Sequence, residues 1–371
     1  MDFDFSDDQQ QLRDAVRKWV DKGYGFERRR KTAESSGFDR AAYGELAELG
    51  LTGLYIPDGH SGMGMGPVEG MVVMEELGRG IVLEPLAQAL IAGGVINGYA
   101  PEAVKSAWLP RVSSGEALVV LAYQERKARY KLDVCETKAT GSGDRWTVTG
   151  TKSLVPAGDQ ADAYLVPAVA GGKMVMLLVA RSAGGVKTSG YTALDGSRAA
   201  EVTFQDAPAT LVSQDGLAAL EHAVDIAIAN TCAEGVGAID KTMLLTAEYM
   251  NTRKQFGVPI ASFQALRHRM ADMKMQLELA RSMSYYASLK LNAPAPERRA
   301  AMARAKVQLG TSMRFVGQNS VQLHGGIGVT DEYIGSHYFK KLTALELTFG
   351  DTLHHLGEVS ERMQDTAGVF A

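Results

Sequence analysis

Two runs in the C-terminal third carry residue types suited to holding an anion. Thr252-Arg253-Lys254-Gln255-Phe256-Gly257-Val258-Pro259-Ile260 sets an arginine near an aromatic ring and a glycine, with Phe263-Gln264 close behind and His268 and Ala271-Asp272-Met273 beyond. Gln322-Leu323-His324-Gly325-Gly326-Ile327-Gly328-Val329-Thr330, closed by Glu332-Tyr333, concentrates glycines in a short segment. Arginine offers a planar, permanently charged fork for phosphate oxygens, and consecutive glycines let backbone N–H groups approach an anion. Taken singly, each has an ordinary reading: a solvated helical charge, and a turn.

Other polar groups stand on apolar backgrounds. Glu234, within Cys232-Ala233-Glu234-Gly235-Val236-Gly237, reads either as a general base in a desolvated setting or as a partner for a helix terminus or a neighbouring subunit. His354 and His355 are adjacent on a helical pattern, face different directions and make a poor metal site. Cys135 and Cys232 have no metal-ligand spacing, and no metal is expected.

The elements that position these residues follow from periodicity. Ser6 followed by Gln9 has the form of a capping box, and Leu12, Val16, Trp19 and Val20 recur on one helical face. Helical patterns continue through Ala41 to Glu48, Gly70 to Leu77 and Leu83 to Ile96, so residues 1–115 read as a helical domain. From Ala117 the texture changes to short β-rich runs, such as Trp146 to Val148 and Ala163 to Val166, broken by glycines, and residues 116–215 read as a β-domain. Strand character fades after Val202 to Phe204. Residues 216–371 return to helices, from Leu217 and through Lys241 to Tyr249, Ala265 to Leu291 and Arg298 to Leu323, with Pro294 and Pro296 marking a turn.

Composition narrows the classes of function. With 371 residues, 46% hydrophobic and 22% charged, the chain is an ordinary multi-lobed globular protein. A formal net charge of -4 gives no footprint for nucleic acid, and the run Arg28-Arg29-Arg30-Lys31 reads as a solvated helix end. The acidic opening, with Asp2, Asp4, Asp7 and Asp8, is unlike an export signal, and the apolar stretch from Ile81 to Ile96 is interrupted by Glu84, Pro85, Gln88 and Gly93. A cytoplasmic protein without membrane spans is the expectation.

The two C-terminal runs together resemble the flavin-contacting motifs of the acyl-CoA dehydrogenase family, and the helical, β, helical order covers essentially the whole chain in the same way. The resemblance implies a mainly α fold with a central β-barrel-like domain and a C-terminal four-helix bundle that drives tetramer assembly. It implies FAD as cofactor and an acyl-CoA thioester as substrate, losing an α-proton to a carboxylate base and a β-hydride to the flavin. It also implies that Arg253, Phe256 and Gln264 reach the FAD of a neighbouring subunit, while Gln322, Leu323, His324, Gly325 and Gly326 approach its adenosine diphosphate portion.

The departures from the family pattern are concentrated. Counting from Glu332-Tyr333 puts Phe349-Gly350-Asp351 where the family has Glu-Gly-Thr, and the alternative base position on the first bundle helix is Ala227. Asp351 reads as a shifted catalytic base or as a helix cap. Gln124-Glu125-Arg126 and then Lys127, Ala128 and Arg129 replace a Thr-Glu-Pro and its small residues, and Leu154-Val155-Pro156 replaces Trp-Ile-Thr. Proline has no N–H to offer a flavin ring. Segments that serve a chain's own flavin and substrate are altered, whereas those reaching a neighbour's FAD are intact. The leading expectation is a subunit of a heteromeric dehydrogenase, similar to the small subunits of pimeloyl-CoA and steroid side-chain dehydrogenases, that completes the FAD site of a glutamate-bearing homologue. A self-sufficient homotetramer using Asp351 or Glu234, and a flavin-free structural subunit, stand as alternatives.

Overall fold

A computed structural model describes residues 5–143 and 145–367, which leaves Asp2 and Asp4 outside the described residues. In chain order the helices of the first part are α1 (Asp7–Gly23), α2 (Phe26–Ser35), α3 (Arg40–Glu48), α4 (Pro67–Arg79), α5 (Leu86–Tyr99) and α6 (Glu102–Ser113). The strands follow: β1 (Val119–Leu121), β2 (Lys138–Ser142), β3 (Arg145–Pro156), β4 (Ala163–Ala170), β5 (Lys173–Ala180), β6 (Val186–Thr192) and β7 (Arg198–Ser213). Then come α7 (Gly216–Thr252), the two-stranded hairpin β8 (Lys254–Gln255) and β9 (Val258–Pro259), α8 (Gln264–Lys290), α9 (Ala295–His324), α10 (Ile334–Leu347) and α11 (Thr352–Ala367). This is the mainly helical architecture with a central β-domain that the sequence predicts.

Local signals account for several boundaries. The capping box at Ser6 is formed, with Ser6 Oγ accepting from the Gln9 N–H at 3.3 Å and Gln9 Oε1 accepting from the Ser6 N–H at 3.1 Å. Pro85 occupies the N-cap of α5, so that helix starts at Leu86 rather than at Leu83. Pro294 is the N-cap of α9 and Pro296 lies in its first turn, where a missing N–H costs nothing. The patterns at Leu217 and at Lys241 to Tyr249 belong to one 37-residue helix, α7. Strand character persists beyond Phe204, because β7 continues to Ser213 by pairing with β5.

The chain divides into two compact units. One holds the residues up to Arg29, Pro67–Val82 and everything from Ile228 onward. Here α4 meets α7 at paired glycines: a Cβ on Gly78 would strike the Glu234 carbonyl, and one on Gly237 would strike the Glu75 carbonyl. The small residues around Glu234 therefore serve a close helix crossing. The basic run on α2 is not wholly solvated, contrary to expectation. Arg29 is buried, donating from Nε to the Ile81 carbonyl at 2.9 Å and lying 3.1 Å from His337 Nδ1.

The other unit holds Arg30–Gly66 and Leu83–Ala227. Its sheet closes on itself: β4 pairs with β2, β2 with β3, β3 with β7, β7 with β5, and β5 with β4, while β1 adds to β4 and β6 to β7. Closure leaves no free end strand within the ring of β2, β3, β4, β5 and β7, and Val148, Tyr164, Val166, Leu177, Val202 and Phe204 fill the interior.

Candidate functional site

The first motif run lies where α7 ends and reverses into α8. Arg253 donates its backbone N–H to the Tyr249 carbonyl at 2.8 Å and accepts from the Ile260 N–H at 2.9 Å, which closes the loop around the hairpin. Phe256 and Gly257 form the two-residue turn of β8 and β9, with φ of 53° and 80°. Positive φ at both central positions is the geometry that suits the twist of a tight hairpin, and it is strained for phenylalanine. The turn holds the Phe256 ring 93% exposed, edge-on to Phe263 at 6.2 Å. Arg253 and Gln264 are also exposed, and the Arg253 guanidinium has no side-chain partner among the described residues.

The second run lies beside the first. His324 is buried at the end of α9 and its ring sits 4.6 Å from that of Tyr249, one helical turn before Arg253. His324 Nδ1 is 2.8 Å from the Ser320 carbonyl, so Nδ1 carries the proton and Nε2 accepts from the Tyr333 hydroxyl at 2.9 Å. Burial lowers the His324 pKa, which suits this neutral tautomer. Leu323 and His324 are thus turned into the bundle, whereas Gln322, Gly325 and Gly326 face outward. Gly325 adopts φ 65° and ψ -142°, a conformation open to glycine alone, and a Cβ on Gly325 or Gly326 would meet nothing within 4 Å. Packing within this chain does not require the openness at Gly326.

The turn between α10 and α11 carries Phe349, Gly350 and Asp351, and three side chains fix it. Lys306 of α9, fully buried, donates to the carbonyls of Leu345, Glu346 and Gly350 at 2.9, 2.8 and 2.9 Å. It places a cation at the C-terminus of α10, where the helix dipole is negative. Burial pushes the Lys306 amine down to about 8, partly opposed by Cys232, Glu346 and Asp351. The Glu346 carboxylate accepts from the Thr352 N–H at 3.0 Å and its hydroxyl at 2.7 Å, at the positive N-terminus of α11. His355, 1% exposed, donates from Nε2 to the Phe349 carbonyl at 3.0 Å. Phe349 is held at φ 57° and Gly350 at φ 110°, where a Cβ would press on the ring of His355.

Both alternative carboxylates are engaged by other groups of the chain. Asp351 Oδ1 accepts from the His354 N–H at 2.8 Å, which makes Asp351 the N-cap of α11. Glu234 is engaged by Lys341 at 2.6 Å, an ion pair that joins α7 to α10. His354 Nε2 lies 3.4 Å from Glu358 Oε1, one turn further along α11. Lys306 and Glu346 are the residues that sequence reasoning missed, and His355, read there only as half of a histidine pair, is not tied by sequence to this turn. A signal exists for Lys306, a lone cation on the α9 face that carries Met302, Ala305 and Leu309.

In the β-domain unit, a cleft of about 380 Å³ is lined by Gln124, Glu125, Arg126, Arg129, Ser153, Leu154, Tyr191 and Glu201. The altered segments therefore share one cleft. Arg126 pairs with Glu201 at 3.0 Å across it, and Leu154 is held at φ 52°. Pro156 sits on β3 opposite Ala199.

Comparison with known proteins gives this arrangement its class, a helical and β-barrel oxidoreductase fold. Residues 6–116 match the acyl-CoA dehydrogenase N-terminal domain, and residues 214–364 match the acyl-CoA dehydrogenase C-terminal domain. The chain belongs to the acyl-CoA dehydrogenase family of flavoprotein oxidoreductases acting on CH–CH bonds. It is 27% identical to acryloyl-CoA reductase (NADH) of Anaerotignum propionicum, covering 86% of this chain and 85% of that one. It is 27% identical to the probable acyl-CoA dehydrogenase YngJ of Bacillus subtilis, covering 90% and 92%. Among solved structures it is similar to a variant of the Tcur3481-Tcur3483 steroid ACAD, at 26% identity and a TM-score of 0.90 over 97% of this chain and 99% of that one. No helix among the described residues is long and apolar enough to cross a membrane.

Proposed function

We propose that this chain is the non-glutamate subunit of a heteromeric FAD-dependent acyl-CoA dehydrogenase, lending residues to the flavin site of a homologous, glutamate-bearing partner. The observation that carries the reading is the turn at 349–351. Its backbone is held by Lys306, His355 and Glu346, yet its first side chain is a phenylalanine and its aspartate is occupied as a helix cap. Phenylalanine takes no proton, so the α-proton of the acyl-CoA thioester falls to the partner's glutamate.

The residues presented outward fit a dinucleotide bound by another chain. Arg253 supplies an unpartnered cation for phosphate oxygens, Phe256 an exposed aromatic face, and Gln264 and Gln322 amide groups. Gly325 and Gly326 leave room for an approaching anion, while Leu323 and His324 hold their turn from inside. FAD, when bound, accepts the hydride that leaves the acyl β-carbon. Exposed Val258, Phe263, Ile327 and Val329 surround these groups, apolar surface that a partner subunit would cover. The similar steroid ACAD is named for two chains, which supports a hetero-oligomer. In this reading residues 1–115 and 116–215 form the helical and β-domains, residues 216–371 carry the flavin-contacting and oligomerising surfaces, and the protein is cytoplasmic.

Flavin stoichiometry tests the reading. Purified alone, the chain should carry little FAD; co-purified with a glutamate-bearing homologue, it should contain about one FAD per pair of unlike chains, since the cofactor binds where the site is complete. A chain that binds a full complement of FAD alone and bleaches it with an acyl-CoA overturns the proposal in favour of a self-sufficient enzyme.

A further inference from the structure

The β-domain holds a buried cluster that the flavin reading does not use. Glu125, in the turn after β1, accepts through Oε1 from Lys152 Nζ at 2.7 Å, the Thr137 N–H at 3.1 Å and the Thr137 hydroxyl at 2.7 Å. Its Oε2 accepts from the Glu136 N–H at 2.6 Å. Burial opposes ionisation of Glu125, but the charge and hydrogen bond of Lys152 outweigh it and hold the carboxyl at about 2. Against this pair lies Cys135: Lys152 Nζ approaches its Sγ to 3.7 Å, and Sγ is 3.5 Å from Glu125 Oε1. Lys152 is fully buried on β3, whereas Cys135 is only half-buried, in the segment leading into β2.

We propose that Cys135 and Lys152 form an oxidative modification site, at which hydrogen peroxide converts the pair into a covalent sulfur–oxygen–nitrogen bridge. The geometry favours this over other fates of the thiol. Sulfur and nitrogen stand 3.7 Å apart, at hydrogen-bond separation, so a small side-chain movement brings them within the span of one bridging oxygen, and the amine is held in place by the carboxylate beside it. No second cysteine competes for a disulfide within this unit, since Cys232, the other thiol, belongs to the helical unit. Cys135 is partly exposed, with Sγ against Glu125 Oε1 and the Thr137 and Pro167 carbonyls, while full burial of Lys152 shields the nitrogen.

The chemistry balances with two equivalents of hydrogen peroxide. The first oxidises the thiol to a sulfenic acid: its O–O bond breaks, one oxygen passes to sulfur and one water leaves. One proton of the Lys152 ammonium passes to solvent water, which frees the nitrogen lone pair. In the second step the N–O bond forms, Nζ is oxidised and the second peroxide is reduced. The sulfenic hydrogen and one amine hydrogen leave with its oxygens as two waters. The bridge replaces a charged hydrogen bond, so Glu125 loses the ammonium opposite it while the segment from 125 to 137 becomes covalently tied to β3. That segment borders the cleft lined by Gln124, Arg126 and Leu154.

Peptide mass spectrometry on the full chain tests the proposal without reference to flavin or turnover. After peroxide treatment and tryptic digestion, the peptides containing Cys135 and Lys152 should appear joined, with about 14 Da added to the sum of the reduced pair, for one oxygen gained and two hydrogens lost. Cleavage after Lys152 should be lost in that species and regained after treatment with a thiol reductant. Lys152→Arg, which keeps a cation for Glu125, should instead give Cys135 sulfinic acid, and Cys135→Ser should give no joined species. Sulfinic or sulfonic acid at Cys135 in the unsubstituted chain, with normal cleavage after Lys152, overturns the proposal. So does an untouched thiol, or a disulfide between copies. The unsubstituted chain decides the matter even if a variant fails to fold.

Discussion

Lys306 Nζ lies 2.9 Å from the Gly350 carbonyl, so the buried amine of α9 holds the backbone immediately after Phe349. Two more carbonyls, of Leu345 and Glu346, share the same donor, and together they make the last turn of α10 and the start of α11 one hydrogen-bonded assembly. Gly310, one turn further along α9 than Lys306, leaves room for this: a Cβ there would strike the Thr352 hydroxyl. The turn is thus built into the core of the bundle, whatever side chain occupies position 349.

Lys306→Met should destabilise the chain by about 3 kcal/mol, because it leaves buried carbonyls without a donor and the C-terminus of α10 without its cation. Chemical denaturation monitored by far-UV circular dichroism measures the change. A loss below about 0.5 kcal/mol, the scale of an ordinary surface substitution, would mean that the turn does not depend on this amine.

Asp351 separates a capping role from a catalytic one. Asparagine caps a helix about as well as aspartate but is no base, whereas alanine does neither. Asp351→Asn should therefore leave both stability and the turnover of the assembled enzyme near the unsubstituted values, while Asp351→Ala should cost about 1 kcal/mol of stability with turnover retained. A hundredfold or greater fall in kcat for the stable asparagine variant would make Asp351 the base.

Much of this architecture is legible in the chain, and the limits have physical causes. Val16 and Val20 of α1, Pro85 before α5 and Pro296 in α9 act through local periodicity, capping and backbone chemistry, which neighbouring residues report. The substitution at Phe349 is equally visible, since it needs only counting from Glu332-Tyr333. Arg29, Glu234 and Lys306 are different. Each is a charge whose partners lie tens to hundreds of residues away: Ile81 and His337 for Arg29, Lys341 for Glu234, and the α10 carbonyls for Lys306. Composition around a charge cannot say whether its partner is water, a carbonyl or an opposite charge. The glycines flanking Glu234 illustrate the ambiguity, because a helix crossing and a roomy active site both call for small residues.

His355 should make the fold acid-sensitive. Burial, with the Lys306 charge second, holds its pKa below the ordinary 6.5, and its buried Nδ1 has no hydrogen-bond partner. Glu358 acts in the opposite direction, while His354 adds to the lowering. As pH falls through 6.5 the unfolded chain takes up a proton at this histidine and the folded chain does not, so stability declines toward acid. The slope below 6.5 should be about 1.4 kcal/mol per pH unit from this group, until the folded histidine itself titrates. His355→Gln should remove about one proton from the difference in uptake, measured as a flatter dependence of unfolding free energy on pH between about 5 and 6.5. An unchanged slope would mean that the folded histidine titrates like the unfolded one.

Arg253 supplies the test that bears most directly on the division of labour between chains. Its guanidinium is exposed and without a partner among the described residues, so Arg253→Gln should leave the folded stability of the isolated chain within about 0.5 kcal/mol. In the co-purified complex the same substitution should weaken FAD retention about tenfold or more, the scale of one charge-assisted hydrogen bond to phosphate. Flavin release on serial dilution, followed by fluorescence, reports this for complexes carrying the variant in this chain alone. Placing the equivalent substitution in the glutamate-bearing partner should have a smaller effect, because that arginine would face the altered ring pocket of this chain, with Leu154 and Pro156. Equal effects from the two substitutions would mean two equivalent flavin sites, and the asymmetry between the subunits would have to lie elsewhere.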